Sequence, residues 1–89
     1  MTIKILINIG GIENPVCKVF ADGTNIENIK QFIKEWFPYY IYSISYDYLD
    51  NSYLPFPQNT IQFTIGYDDM GEYCEDKNYY LLTEEVDGI

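Results

Sequence analysis

Residues 24–38 read Thr-Asn-Ile-Glu-Asn-Ile-Lys-Gln-Phe-Ile-Lys-Glu-Trp-Phe-Pro, and this stretch decides the fold class. Ile26, Ile29, Phe32, Ile33, Trp36 and Phe37 return at spacings of three and four, which on a 3.6-residue period makes one broad apolar stripe. Asn28, Lys30, Gln31, Lys34 and Glu35 fall on the wet side. Thr24 with Glu27 three residues on reads as a capping box, so the helix is expected to start there. Pro38 cannot continue it and sets its end at about Phe37. The chain holds a single helix of this kind, and its neighbours on both sides follow a different period.

Upstream, residues 2–9 alternate, with Ile3, Ile5, Ile7 and Ile9 on one side and Thr2, Lys4, Leu6 and Asn8 on the other, so the isoleucine side is expected to be the buried face of a strand. Gly10, Gly11, Glu13, Asn14 and Pro15 supply turn chemistry, and Val16 to Ala21 read as a second strand of the same hairpin. Downstream, Tyr39 to Leu49 predict a third strand with Tyr40, Tyr42, Ile44, Tyr46 and Tyr48 on one face. A loop through Asp50, Asn51, Ser52, Pro55 and Pro57 leads to a fourth, in which Ile61, Phe63, Ile65 and Tyr67 alternate with Thr60, Gln62, Thr64 and Gly66. Asp68 to Asn78 read as an acidic connection broken by Gly71, and Tyr79 to Glu84 as a last strand. The expected fold is α+β: a small, mostly antiparallel sheet of about five strands with one helix packed on a face, in the order β-β-α-β-β-β. With 89 residues, positions 1–89 make one domain.

Hydrophobic residues at 47%, with 18% aromatic, are too many for a disordered acidic tail despite a formal charge of −9. Fourteen Asp and Glu stand against five Lys, with no Arg and no His, which removes the residues that grip phosphate or move protons near neutral pH. Direct nucleic-acid binding and most catalysis are therefore disfavoured. No stretch approaches the roughly 20 apolar residues of a membrane span, and no secretory leader is legible, so the expected location is cytoplasmic. Cys17 and Cys74 stand outside any CxxC spacing and are read as reduced thiols.

The charge is unevenly placed. Up to residue 45, Glu13, Asp22, Glu27 and Glu35 balance Lys4, Lys18, Lys30 and Lys34. Beyond it, Asp47, Asp50, Asp68, Asp69, Glu72, Glu75, Asp76, Glu84, Glu85 and Asp87 face Lys77 alone, so this half carries the whole net charge. Self-repulsion of this kind costs stability, and it is retained either for solubility or because the field is used. In the second reading Asp47, Asp50, Asp68, Asp69, Glu72, Glu75 and Asp76 stand in for a nucleic-acid backbone, since DNA carries one charge per roughly 3.4 Å of each strand and carboxylates accept bidentate Arg forks. Tyr73, inside the acidic stretch, is the aromatic candidate for the interface, whereas Tyr46 and Tyr67 fit plain sheet packing better.

In size, acidity and α+β layout the chain resembles the small acidic inhibitors encoded by phages and mobile elements, of the anti-CRISPR, antirestriction and uracil-glycosylase-inhibitor types. The resemblance covers the whole chain and carries no diagnostic motif. It implies a protein that mimics DNA and occupies the positively charged nucleic-acid-binding cleft of a host defence enzyme such as a CRISPR effector or a restriction enzyme. Two other readings use the same features: an immunity protein or antitoxin that neutralises a basic toxin, and an accessory or structural subunit paired through a sheet edge.

No enzyme and no cofactor are expected. The acidic run lacks the EF-hand spacing, with its ligands at 1, 3 and 5 before a glycine at 6, so no metal site is assigned to it. Glu84 and Glu85 are strand neighbours that point to opposite faces, and no histidine is present to activate a thiol. Gly10 and Gly11 lead to a strand instead of a helix, so they make no phosphate loop.

Overall fold

The computed structural model describes residues 1–10, 16–49, 56–57 and 59–87. They form β1 (Thr2–Asn8), β2 (Val16–Ala21), α1 (Ile26–Trp36), β3 (Tyr40–Tyr48), β4 (Ile61–Asp69), β5 (Glu72–Asp76) and β6 (Tyr79–Glu85). All pairings are antiparallel. The sheet runs β2-β1-β6-β4-β3, with β5 joined to β4. The α+β class therefore holds with six strands in place of five, in the order β-β-α-β-β-β-β. The additional strand is β5, inside the stretch read as an acidic connection.

One layer of helix lies on one face of the sheet, and the core is the space between them. Ile29 and Ile33 of α1 are buried against a cluster that includes Leu6, Ile61, Phe63, Ile65, Tyr79 and Leu81. β4 follows its sequence pattern: Ile61, Phe63 and Ile65 are buried, because directly opposite residues of an antiparallel ladder share a face and every odd residue of β4 points at the helix. Thr60, fully buried just before β4, donates its hydroxyl proton to the Pro57 carbonyl at 2.6 Å, so its buried hydroxyl is paired.

Three expectations are corrected. In β1 the fully buried residue is Leu6, on the opposite side from the isoleucines. Ile3, Ile5 and Ile7 line the helix-free face with Val19 and Leu82 and are only half-buried. The Leu6 side of β1 is otherwise polar, with Thr2, Lys4 and Asn8, yet it is the side the helix covers, and Leu6 reaches the core cluster there. The helix cap is Asn25, whose Oδ1 accepts from the Glu27 amide at 2.9 Å, while the Thr24 hydroxyl donates backwards to the Ala21 carbonyl at 2.6 Å. Trp36, counted in the apolar stripe, is 71% exposed and touches the protein through Phe32, ring centroids 5.7 Å apart. The stripe is therefore a core face at Ile29 and Ile33 and open at Trp36.

The end of the helix is tied down by aromatic rings. Phe37, the C-cap, packs edge-on against Tyr67 at 5.0 Å and leans on Tyr79 at 6.3 Å, while Tyr39 stacks on Tyr67 at 5.2 Å. Lys30, placed on the wet side by spacing, instead lies 5.3 Å from the Tyr46 ring centroid and pairs with Glu27 at 3.5 Å. Because Asn25 supplies the side-chain cap, Asn25→Ala is expected to cost about 1 kcal/mol in urea unfolding. Thr24→Ala should leave the Glu27 amide hydrogen bond intact, which hydrogen exchange at that amide would read directly.

Candidate functional site

β4 and β5 form a hairpin closed by Met70 and Gly71, both at positive φ (51° and 88°), the paired left-handed geometry of a two-residue turn that matches strand twist. Met70 at its tip is 98% exposed. β4 pairs with β6 only at Ile61 and Gln62, so beyond that point β5 takes over its second edge. The molecule is drawn out along one axis, 48 × 28 × 25 Å.

This hairpin, the acidic arm, carries five of the expected site residues as carboxylates: Asp68, Asp69, Glu72, Glu75 and Asp76. Its register distributes them over both faces. Asp68, Tyr73 and Glu75 lie on the helix-free face, with Asp68 opposite Tyr73 and Glu75 opposite Gly66. Asp69, Glu72 and Asp76 lie on the face that bears the helix, with Asp69 and Glu72 directly opposite each other. Like charges facing across a ladder destabilise the pair. Asp76 is partly engaged, accepting from the Asn78 amide at 2.7 Å where the chain turns into β6. Asp47 lies on the helix-free face opposite Gln62, six residues along β4 from Asp68 and so about 20 Å away. Asp50 lies outside the described residues. Glu84 and Glu85 sit at the far end of β6, paired with Ile3 and Thr2, and do not join the arm.

Two site residues escaped the strand pattern. β3 bulges between Ile41 and Ser43, leaving Tyr42 as the extra residue. Ile44 and Tyr46 remain on the helix side, opposite Ile65 and Phe63, but Tyr40 pairs with Asp68 and shares the helix-free face with it. Tyr42 joins them there: its hydroxyl donates to Asp68 Oδ1 at 3.1 Å, and its ring meets Tyr40 edge-on at 5.3 Å and Tyr73 nearly parallel at 6.0 Å. The expectation of five alternating side chains on one face is thus wrong for Tyr40 and Tyr42. Gly66 was the available signal, since a glycine inside a strand marks a bulge or a close approach. A Cβ at this position would come within 2.6 Å of Tyr73 Oη and 2.9 Å of Ser43 Oγ, so the Tyr73 ring lies flat across the sheet over a residue with no side chain.

The hydrogen bond to Asp68, and the carboxylate charge behind it, raise the Tyr42 phenol above its ordinary value. Burial raises Tyr67, helped by the negative charges of its neighbours, and burial raises Tyr79 against the opposing hydrogen bond from Asn8. A neutral phenol held in the fold contributes stability that is fully present below the unfolded value of 10.0 and is lost as pH rises through the folded one. Spectrophotometric tyrosinate titration should therefore show a late-ionising fraction coupled to alkaline unfolding, with Tyr67→Phe weakening the coupling.

Among the described residues no three His, Cys, Asp or Glu side chains converge to hold a metal, and no helix is long and apolar enough to cross a membrane. Compared with protein-family models, curated proteins and solved structures, the chain matches none.

Proposed function

We propose that the protein is an acidic inhibitor whose β4–β5 arm enters the positively charged nucleic-acid-binding cleft of an enzyme and takes the place of the phosphate backbone. The observation that supports this reading is the linear charge of the arm. Five carboxylates, two on one face and three on the other, stand on a hairpin whose second strand, five residues long, extends about 16 Å, so that both faces together carry about one charge per 3 Å of the arm's length, comparable to the axial spacing of charge along a DNA strand. A two-stranded ribbon with carboxylates on both faces offers charge to both walls of a cleft, which a helix stripe or a flat sheet face does not. The unpaired juxtaposition of Asp69 and Glu72 is costly in the free protein and becomes favourable once arginines or lysines come between them.

The test is competition. The partner is captured from bacterial lysate at low salt, identified, and titrated with this protein and a DNA duplex together. Mutual exclusion is expected, with affinity falling steeply as salt rises. If both bind at once with no loss of affinity, cleft-blocking is wrong. If the partner is a basic toxin without a nucleic-acid cleft, the arm serves neutralisation instead.

A further inference from the structure

We propose that Tyr40, Tyr42 and Tyr73, on the helix-free face of the arm, form a preorganised platform that stacks an arginine side chain of the protein partner. This rests on the cleft-blocking reading and names the group that is gripped. The three rings are 71%, 57% and 62% exposed, so they add little to the core, yet each is held in place. The β3 bulge brings Tyr42 beside Tyr40, Asp68 fixes the Tyr42 hydroxyl, and the bare backbone of Gly66 lets Tyr73 lie flat. Bulges recur where a side chain is re-aimed for function, and ordered aromatic surface binds at low entropic cost.

Charge complementarity selects the occupant. Asp68 and Glu75 flank the rings on the same face, and among the described residues the one ion pair, Lys30 with Glu27, lies on the helix. A guanidinium stacks flat on a phenol ring while its N–H fork reaches a carboxylate, whereas an ammonium supplies only a point charge. A stacked nucleobase fits poorly, because its phosphates would be brought against Asp68 and Glu75.

The probe is a blocked, flexible peptide carrying two arginines, compared with the same peptide carrying two lysines, titrated into the full chain at low salt and followed through the tyrosine ring resonances. The arginine peptide should bind saturably and more tightly than the lysine peptide, shifting Tyr40, Tyr42 and Tyr73. Tyr73→Leu should weaken it about two- to fivefold and abolish the arginine preference. Gly66→Ala, whose Cβ would meet the Tyr73 ring end and the Ser43 hydroxyl, both side-chain atoms on the same face, should do the same while keeping the native spectrum elsewhere. The double change Asp69→Asn with Glu72→Gln removes charge from the other face and should leave the preference intact. Equal affinity for the two peptides, a preference that survives both platform variants, or no saturable binding would each overturn the platform. Because this assay contains no nucleic-acid enzyme, its failure leaves the cleft reading standing, and failure of the duplex competition leaves the platform standing.

Discussion

Phe63→Ala is expected to cost about 3–5 kcal/mol, the largest single-residue effect in the molecule. Phe63 is the largest fully buried side chain, in the middle of β4 beneath Ile29 and Ile33. One helix on one face gives the ring nothing to collapse onto when it is truncated. A domain of this size holds only about 5–13 kcal/mol in total, so the urea midpoint should fall by at least roughly a quarter, and by nearly all at the low end of that range. Trp36→Ala, in the same helical stripe but 71% exposed, should cost no more than about 1 kcal/mol, the scale of its ring contact with Phe32. Equal losses in the two unfolding curves would mean that the indole is buried and the helix is rotated on the sheet.

Reversing the arm should abolish partner binding while leaving the fold intact. The variant Asp68→Lys, Asp69→Lys, Glu72→Lys and Glu75→Lys changes exposed or half-exposed hairpin positions and opens no core cavity, and the two donors that Asp68→Lys releases, the Tyr42 hydroxyl and the Gly71 amide, are exposed and pass to water. Asp76 is left alone because it holds the Asn78 amide at the turn into β6. A carboxylate desolvated against an arginine contributes about 2–5 kcal/mol, so loss of even one such pair weakens binding by roughly 30- to 4,000-fold, and four reversals should bring it below detection. Single reversals of peripheral carboxylates should mainly slow association. The decisive control has the same net charge: Asp22→Lys, Glu84→Lys, Glu85→Lys and Asp87→Lys alter the opposite end, about 40 Å from the hairpin tip along the strand direction. If both fourfold variants lose binding equally in surface plasmon resonance, the arm is not the site and only the overall field matters. Lys34→Glu serves as a second control, being exposed on the helix, whereas Lys30 is unsuitable because it packs over Tyr46.

Much of this architecture is legible in local patterns. The three- and four-residue returns of Ile26, Ile29 and Ile33, stopped by Pro38, predict the helix, and the alternation of Ile61, Phe63 and Ile65 predicts both the strand and its inward face. The arm's carboxylates are visible as a charge imbalance. Their strand is not, because Glu and Asp are poor strand formers; β5 exists because Met70 and Gly71 turn the chain back onto an edge of β4 left open beyond Gln62.

What the sequence determined by itself is therefore the set of elements whose signals lie within a few residues: the helix, most strands, the turn chemistry and the net charge. What only the tertiary structure decided is which surface each strand presents. β1 carries Leu6 on one face and Ile3, Ile5 and Ile7 on the other, and the deep face became that of Leu6 because α1 lies there. Tyr40 and Tyr42 left the face of Ile44 because one residue bulges opposite Gly66, over which Tyr73 then lies. Periodicity states that a strand has two faces. Assigning those faces takes partners distant in the chain, and a one-residue slip in register reverses the assignment.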